Sequence, residues 1–357
     1  MTVTPRTTPA DRGEVTDMDP TRRRRRSVPA LVGLSAALLA TALWGFTFLG
    51  PAAVDPVNIY YLVLGRYAVF GLMSAAVLLA RPGRLRALGK RDVLKAMHLG
   101  VVGYIGFYLL LSMSASVGGG VLASAMTGLI PVMVSLISNA VEKVFAWRSG
   151  LLPIAVIAAG LFLVNGGTAS LGTAGDGQDR LAGAALGFAA CVAWSYFVIA
   201  NRIILRRATR VPDNATWTAC IGIGAFLGSL VLLPLAESAE GTSPFADAGT
   251  LGSFLAWCAA LAVLGSWCAT WFWNIASKRL PATVMGPIIG MEAVFGAFFY
   301  LIWEQRLPTA QELWGGLLVI GGVFFSFHVF DRARLPRPAP ERPPSETPAG
   351  PGGGKGR

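Results

Sequence analysis

A glutamate interrupts the apolar run PIIGMEAVFGAFFYLIW at residues 287–303, and no other charged residue lies within ten positions of Glu292. A second lone charge, Arg66, stands in the comparably apolar IYYLVLGRYAVFGLM. A charge in hydrocarbon is costly, so such groups face a bundle interior, find a partner, or serve a substrate or proton path. Three arrangements fit the two residue types. They could form a structural ion pair between distant parts of the chain. They could make a site in which Arg66 attracts a carboxylate and Glu292 takes up a proton or an amine. They could also face separate water-filled pockets. Substrate or proton binding is the favoured reading, and it makes Glu292 and Arg66 the leading site residues.

The surrounding elements must therefore be membrane helices. Of 357 residues 54% are hydrophobic and 14% charged, with a mean hydropathy of +0.58. Soluble chains carry about a quarter charged residues, so the composition is of the membrane class. The net charge of +11 does not indicate nucleic-acid binding, because Arg22 to Arg26 form an N-terminal pentad and most other basic residues separate apolar runs. Cys191, Cys220, Cys258 and Cys268 all fall in apolar stretches without a CxxC pair, so neither a metal site nor a disulfide framework is expected. No cofactor is expected either. The order of RRRRRSVPALVGLSAALLATALWG resembles a secretory signal, but its apolar part is a full span long and is read as an uncleaved first helix.

A bilayer crossing takes about 20 apolar residues. Ten candidates follow, at about 29–50, 58–80, 97–114, 120–139, 150–167, 181–200, 215–235, 251–274, 282–302 and 312–329. The third and fourth are separated only by SVGGG at 116–120. Alternate loops hold fourteen Lys and Arg residues, from Arg81 to Arg279, against only Arg180 and Arg306 on the other side. The excess of basic residues places the first set of loops and both termini in the cytoplasm. On this reading Arg66 and Glu292 lie about 12 Å and about 15 Å below the same outer boundary, near mid-depth.

The chain also repeats itself. Leu31, Gly33, Ala40 and Trp44 recur 150 positions later as Leu181, Gly183, Ala190 and Trp194. Gly128, Val132, Glu142 and Gly160 recur 162 positions later as Gly290, Val294, Glu304 and Gly322. The expected fold is all-α and integral to the membrane, with ten transmembrane helices in two five-helix repeats. Five is odd, so the second repeat is inverted, and such folds bind solutes near the midplane between their halves. The expected parts are a basic disordered tail at 1–28, a first repeat at 29–167, an external linker at 168–180, a second repeat at 181–329 and a Pro/Gly-rich disordered tail at 330–357.

These marks, in this order, resemble the EamA branch of the drug/metabolite transporter superfamily. They are the tryptophan-bearing ALWGFTF and VAWSYFV, the LGRYAVF arginine, the parallel GLIPVMVSLISNAVEKVF and PIIGMEAVFGAFFYLIWEQ, and the closing AAGLFLVNG and IGGVFFSFH. The resemblance covers about 29–329. It implies alternating-access transport of a small molecule, mostly export of metabolites. One departure is Glu292-Ala293 where the family often has Glu-Pro; Pro131 is kept in the first half, and Pro287 is left as the candidate kink in the ninth span.

Tyr104, near the middle of its span, is a pocket candidate, and Trp44 and Trp194 either pack or line the cavity. Gly286 and Gly290, one turn apart, are read as close-packing positions. Trp273 and Asn274 are read as anchors at the cytoplasmic interface. An enzyme is not expected, since HExxH, GxSxG and carboxylate clusters are missing from the sequence. The rival readings are a non-transporting scaffold or receptor, and a carrier of phosphorylated sugars or nucleotide-sugars. One midplane arginine is thin provision for a multiply charged phosphate, so an amino acid, neutral metabolite or drug-like solute fits better. The expected partners are that solute, the lipid bilayer and, as an option, protons; oligomeric state is not set by the sequence.

Overall fold

The protein was analysed as a computed structural model, which describes residues 20–118, 126–142, 147–164, 177–208, 212–238, 241–245 and 247–332. Among them the chain is helical throughout, with a single isolated β-bridge between Val57 and Thr242. Helix α1 covers Pro20–Phe46 and α2 Ile59–Ala80. Helix α3 runs through Lys90–Gly100 and Phe107–Gly118, joined by a wider π-helical turn at Val101–Gly106. Then come α4 Ile130–Glu142, α5 Trp147–Val164, α6 Gly177–Arg207 and α7 Asn214–Ser229. Helix α8 joins Ala248–Ala260 to Ala269–Arg279 through a second π-helical stretch, Leu261–Cys268. Helix α9 is broken into α9a, Ala282–Ile289, and α9b, Met291–Trp303, before α10, Ala310–Arg332.

Eight of the described helices are long and apolar enough to cross a bilayer, and two shorter apolar helices, Ile130–Val141 and Gly150–Leu163, lie within α4 and α5. The expected fourth and fifth spans run into 119–125 and 165–167, outside the described residues. So do 1–19, most of the 168–180 linker and 333–357. The Arg22 to Arg26 stretch, within the expected 1–28 tail, lies in the first turns of α1; arginine is among the better helix formers. Helix α6 likewise takes in the last residues of the expected linker.

Hydrogen bonds gather the connections at two ends. At one, Arg81 after α2 pairs with Asp213 before α7 at 3.2 Å, Lys278 Nζ donates to the Pro212 carbonyl at 2.8 Å, and Arg202 Nε donates to the Leu280 carbonyl at 3.2 Å. We call this the basic end. At the other, the α1–α2 and α7–α8 connections are stitched by Asn58 N–H to Thr242 O at 3.1 Å and Thr242 N–H to Pro56 O at 3.0 Å. There Gly241 has φ of +114°, and a Cβ would lie 3.0 Å from Asn58 Cα.

Between the ends, backbones approach where side chains vanish, the usual device when helices cannot rely on water to drive them together. A Cβ on Gly45 of α1 would sit 2.7 Å from the Gly296 nitrogen and 2.9 Å from the Glu292 carbonyl of α9b. The recurring glycines Gly160 and Gly322 face each other's helices: Gly160 lies against Val319 and Gly315 of α10, and Gly322 against Ile157 of α5.

Asp213 illustrates how the basic end is held. It caps α7 by accepting from the Thr216 amide at 3.2 Å and hydroxyl at 3.1 Å, besides pairing with Arg81. Burial pushes its carboxyl upward, but the Thr216 and Arg81 bonds and the Arg81 charge outweigh that and hold it below the ordinary carboxylate range. A carboxyl depressed on folding stabilises fully above its unfolded value, about pH 3.9, and loses that contribution as pH falls through the folded value. Thermal melts should therefore show the parent above Asp213→Asn at neutral pH, the gap narrowing as pH falls below about 3.9 and through the folded value; a gap constant with pH would contradict this.

Candidate functional site

Pro287 has no N–H to give to α9a, and the Gly290 N–H turns back onto the Pro287 carbonyl at 3.0 Å, closing the first segment. Helix α9b restarts at Met291, which puts Glu292 in its first turn. The unpaired N–H groups of a first turn favour a carboxylate there. The expected kink thus lies at 287–290, where Pro287 had been the remaining candidate, with Ala293 inside the new helix. A matching irregularity occurs in the first half: Gly128 and Leu129 form a turn just before Pro131, and the Leu129 N–H donates to Met126 O at 2.9 Å.

Arg66 projects from α2 toward the π-helical stretch of α8. Its Nε donates to Ser266 Oγ at 2.8 Å and its Nη2 to the Gly265 carbonyl at 3.1 Å. A π turn disturbs the i→i+4 ladder, which leaves a carbonyl such as Gly265 free to accept elsewhere. Gly265 has no side chain for good reason: a Cβ would collide with Thr47 and lie 3.3 Å from Arg66 Nη2. The guanidinium also stands 5.5 Å from the Tyr67 ring centre. Arg66 and Glu292 form no direct ion pair. Instead both face one cavity of about 530 Å³, well within the usual range for small-molecule sites.

All five residues expected at a solute or proton site line that cavity: Trp44, Arg66, Tyr104, Trp194 and Glu292. It reaches Pro51 and Ile59, near the α1–α2 connection, and ends on an aromatic floor toward the basic end. In that floor Trp44 meets Trp194 and Trp273, each at 5.2 Å between ring centres, and Tyr104 meets Phe197 at 5.4 Å. The Tyr104 hydroxyl is hydrogen-bonded to Thr270 of α8. Trp44 and Trp194 are thus packing partners and wall residues together.

Gly286 packs backbone to backbone, since a Cβ there would lie 3.0 Å from the Ser135 nitrogen; Gly290 is the break itself, with Ile157 and Val319 side chains 3.4 and 3.5 Å from a built Cβ. Trp273 and Asn274 are not interface anchors. Both are fully buried, and Asn274 is bonded to Asn201 at 2.8 Å and Thr218 at 3.0 Å. Helix α8 runs on to Arg279, five residues beyond the expected span end at 274, which leaves these two residues inside the bundle. Sequence reasoning missed Ser266 and Thr270; the signal was present as a lone Gly-Ser and a Thr in LAVLGSWCATWFW.

Residues 181–328 match the EamA-like transporter family. The inner membrane protein YtfF of Escherichia coli (strain K12) is 26% identical over 331 residues, covering 88% of this chain and 98% of YtfF. A chain of known crystal structure superposes with a TM-score of 0.66 at 18% identity, over 86% of this chain and 98% of its own, a likeness of fold. The resemblance to the EamA branch is borne out, and the protein is a multi-pass cell-membrane protein. The family match points to a membrane transporter.

The Arg66 clamp has a measurable consequence. Ser266→Ala leaves the Nε–H of a charged group without its acceptor, which costs about 2 kcal/mol. It should lower the melting temperature of the purified protein; an unchanged Tm would show that Ser266 does not hold Arg66.

Proposed function

We propose that the protein is a ten-span secondary transporter that exports a small solute by alternating access around the cavity between its halves. The two five-helix repeats are 29–167 and 181–329, inverted with respect to each other, with both termini and the basic end in the cytoplasm. The contacts between recurring residues, Trp44 with Trp194 and Gly160 with the helix of Gly322, support a pseudo-twofold arrangement. The clustering of Arg81, Arg202 and Lys278 at one end supports the orientation.

The observation that carries the transport reading is a mid-depth cavity with Arg66 and Glu292 on its wall and unpaired with each other. Neutral acceptors hold Arg66 in place without cancelling its charge, so it can still attract a solute carboxylate. Glu292, on the opposite side of the chain's repeat, receives an amine or a proton. Aromatic walls from Tyr67, Tyr108 and Phe107 suit an apolar remainder. The solute is an amino acid, a small metabolite or a drug-like molecule carrying one or both charges. Export is the direction the family resemblance implies, with a proton entering on Glu292 as the coupling ion. A phosphorylated sugar is disfavoured, because Arg66 already spends two of its donor groups on Ser266 and Gly265.

Reconstituted vesicles test this reading. With a proton gradient and a panel of radiolabelled amino acids, amines and cationic drugs, at least one solute should accumulate. In Glu292→Gln that gradient-driven accumulation falls roughly tenfold, within the ordinary range of coupling free energies, while downhill exchange persists. Undiminished accumulation by Glu292→Gln would remove the proton from the mechanism, and no flux for any solute would remove transport.

A further inference from the structure

Five buried side-chain polar atoms among the described residues lack a hydrogen-bond partner: Trp44 Nε1, Ser138 Oγ, Ser195 Oγ, Trp273 Nε1 and Ser277 Oγ. A buried polar group without a partner is costly, and each one calls for an explanation. Their placement is not scattered. Trp44 is in the cavity floor, Trp273 stacks on it, and Ser195 follows floor residue Trp194. Ser277 lies one turn beyond Trp273 on the same face of α8, next to Lys278 at the basic end. Ser138 lies about 10 Å along α4 from the cavity residue Pro131, in the same direction. All five occupy the part of the bundle between the floor and the basic end.

A satisfied network lies beside them. The Trp217 indole donates to Asn201 at 2.8 Å, Asn201 to Asn274 at 2.8 Å, and Asn274 to Thr218 at 3.0 Å. These fully buried bonds tie α6, α7 and α8 into one block. The unpartnered atoms fall on both sides of that block's border: Ser195, Trp273 and Ser277 on α6 and α8, Trp44 and Ser138 on α1 and α4. Helix α1 lies close along the border, where a Cβ on Gly33 would be 2.9 Å from Arg279 Cβ.

We propose that this seam, between the α6–α7–α8 block and helices α1 and α4, is the basic-end half of the solute path. In the present conformation it is shut by the tryptophan floor, where Trp44 of α1 meets Trp194 of α6 and Trp273 of α8. When it opens, water and solute reach the five groups and supply the partners they lack here. The lost hydrogen bonds of the shut seam thereby lower the free-energy gap to the open one. The path rests on the transport reading, but its test needs no solute.

In a background with the four native cysteines replaced, Ser138→Cys, Ser195→Cys and Ser277→Cys are compared with Ser74→Cys and Ser326→Cys. The two controls are as buried, but their hydroxyls are bonded to Phe70 O and Val323 O at 2.7 Å. A membrane-impermeant methanethiosulfonate is applied to inside-out and right-side-out vesicles. The three seam cysteines should react from the cytoplasmic side roughly tenfold faster than the controls, even if the open state holds only about 1% of molecules. Equal rates, no reaction, or faster reaction from the outside would overturn the proposal. Unmodified protein gives a second reading through indole N–H exchange: Trp44 and Trp273 should exchange roughly tenfold faster than the Asn201-bonded Trp217, for the same population reason. Equal protection of all three indoles would overturn it as well. Failure here, with Glu292-dependent flux intact, rejects the seam and not the transport.

Discussion

A guanidinium held within an apolar bundle must find its acceptors in the protein, and Arg66 finds them in an irregular turn of α8. The constraint propagates outward. A regular α-helix has no carbonyl to spare, so α8 widens into a π-helical stretch and presents the Gly265 carbonyl and Ser266 hydroxyl. Thr47 and Arg66 both press on residue 265, so that residue can carry no side chain. Beyond the turn, Thr270, Trp273 and Asn274 meet Tyr104, Trp44 and Asn201. Placing one charge thus determines the cavity wall, its floor and the polar network beneath it.

The same logic explains the broken helices. Irregular backbone at membrane depth is tolerated where it lines a cavity or is buried in protein. The Gly290 break and the Gly128 turn both line the cavity, as do residues of both π-helical stretches. Four departures from regular helix, two in each half of the chain, meet around one space. Glu292 gains its position from one of them, as Arg66 gains its clamp from another. Gly45 and Gly296 then let α1 close against α9b directly beside the Glu292 backbone.

Much of this was legible in the sequence because hydropathy, lone charges and recurring residues are one-dimensional signals. The spans from α1 to α3 and α6 to α10 follow from apolar runs, and Arg66, Glu292, Trp44, Trp194 and Tyr104 all reach the same cavity. What was not legible depends on where backbone geometry departs from 1.5 Å per residue. The π turn of α8 is invisible in hydropathy, so Ser266 passed as a span residue, and Trp273 passed as an anchor because α8 runs past 274 to Arg279. The missing proline at 293 left Pro287 as the candidate kink, but the part Gly290 takes in the break beside it was read only as close packing. The relation of Arg66 to Glu292 also lay beyond sequence, since similar depth cannot distinguish an ion pair from two charges facing a shared space.

That last distinction decides the account, and ligand-induced stabilisation measures it directly. Purified protein, Glu292→Gln and Arg66→Lys would be melted with a panel of amino acids, metabolites and cationic drugs across about pH 5 to 8, the range in which a coupled site must respond. If the two charges are a solute site, a ligand should raise the Tm of the parent in a pH-dependent way, and each variant should lose that rise while keeping its fold. If the parent and both variants respond equally to every ligand, and the variants are merely less stable, the charges are structural and the cavity is not the binding site.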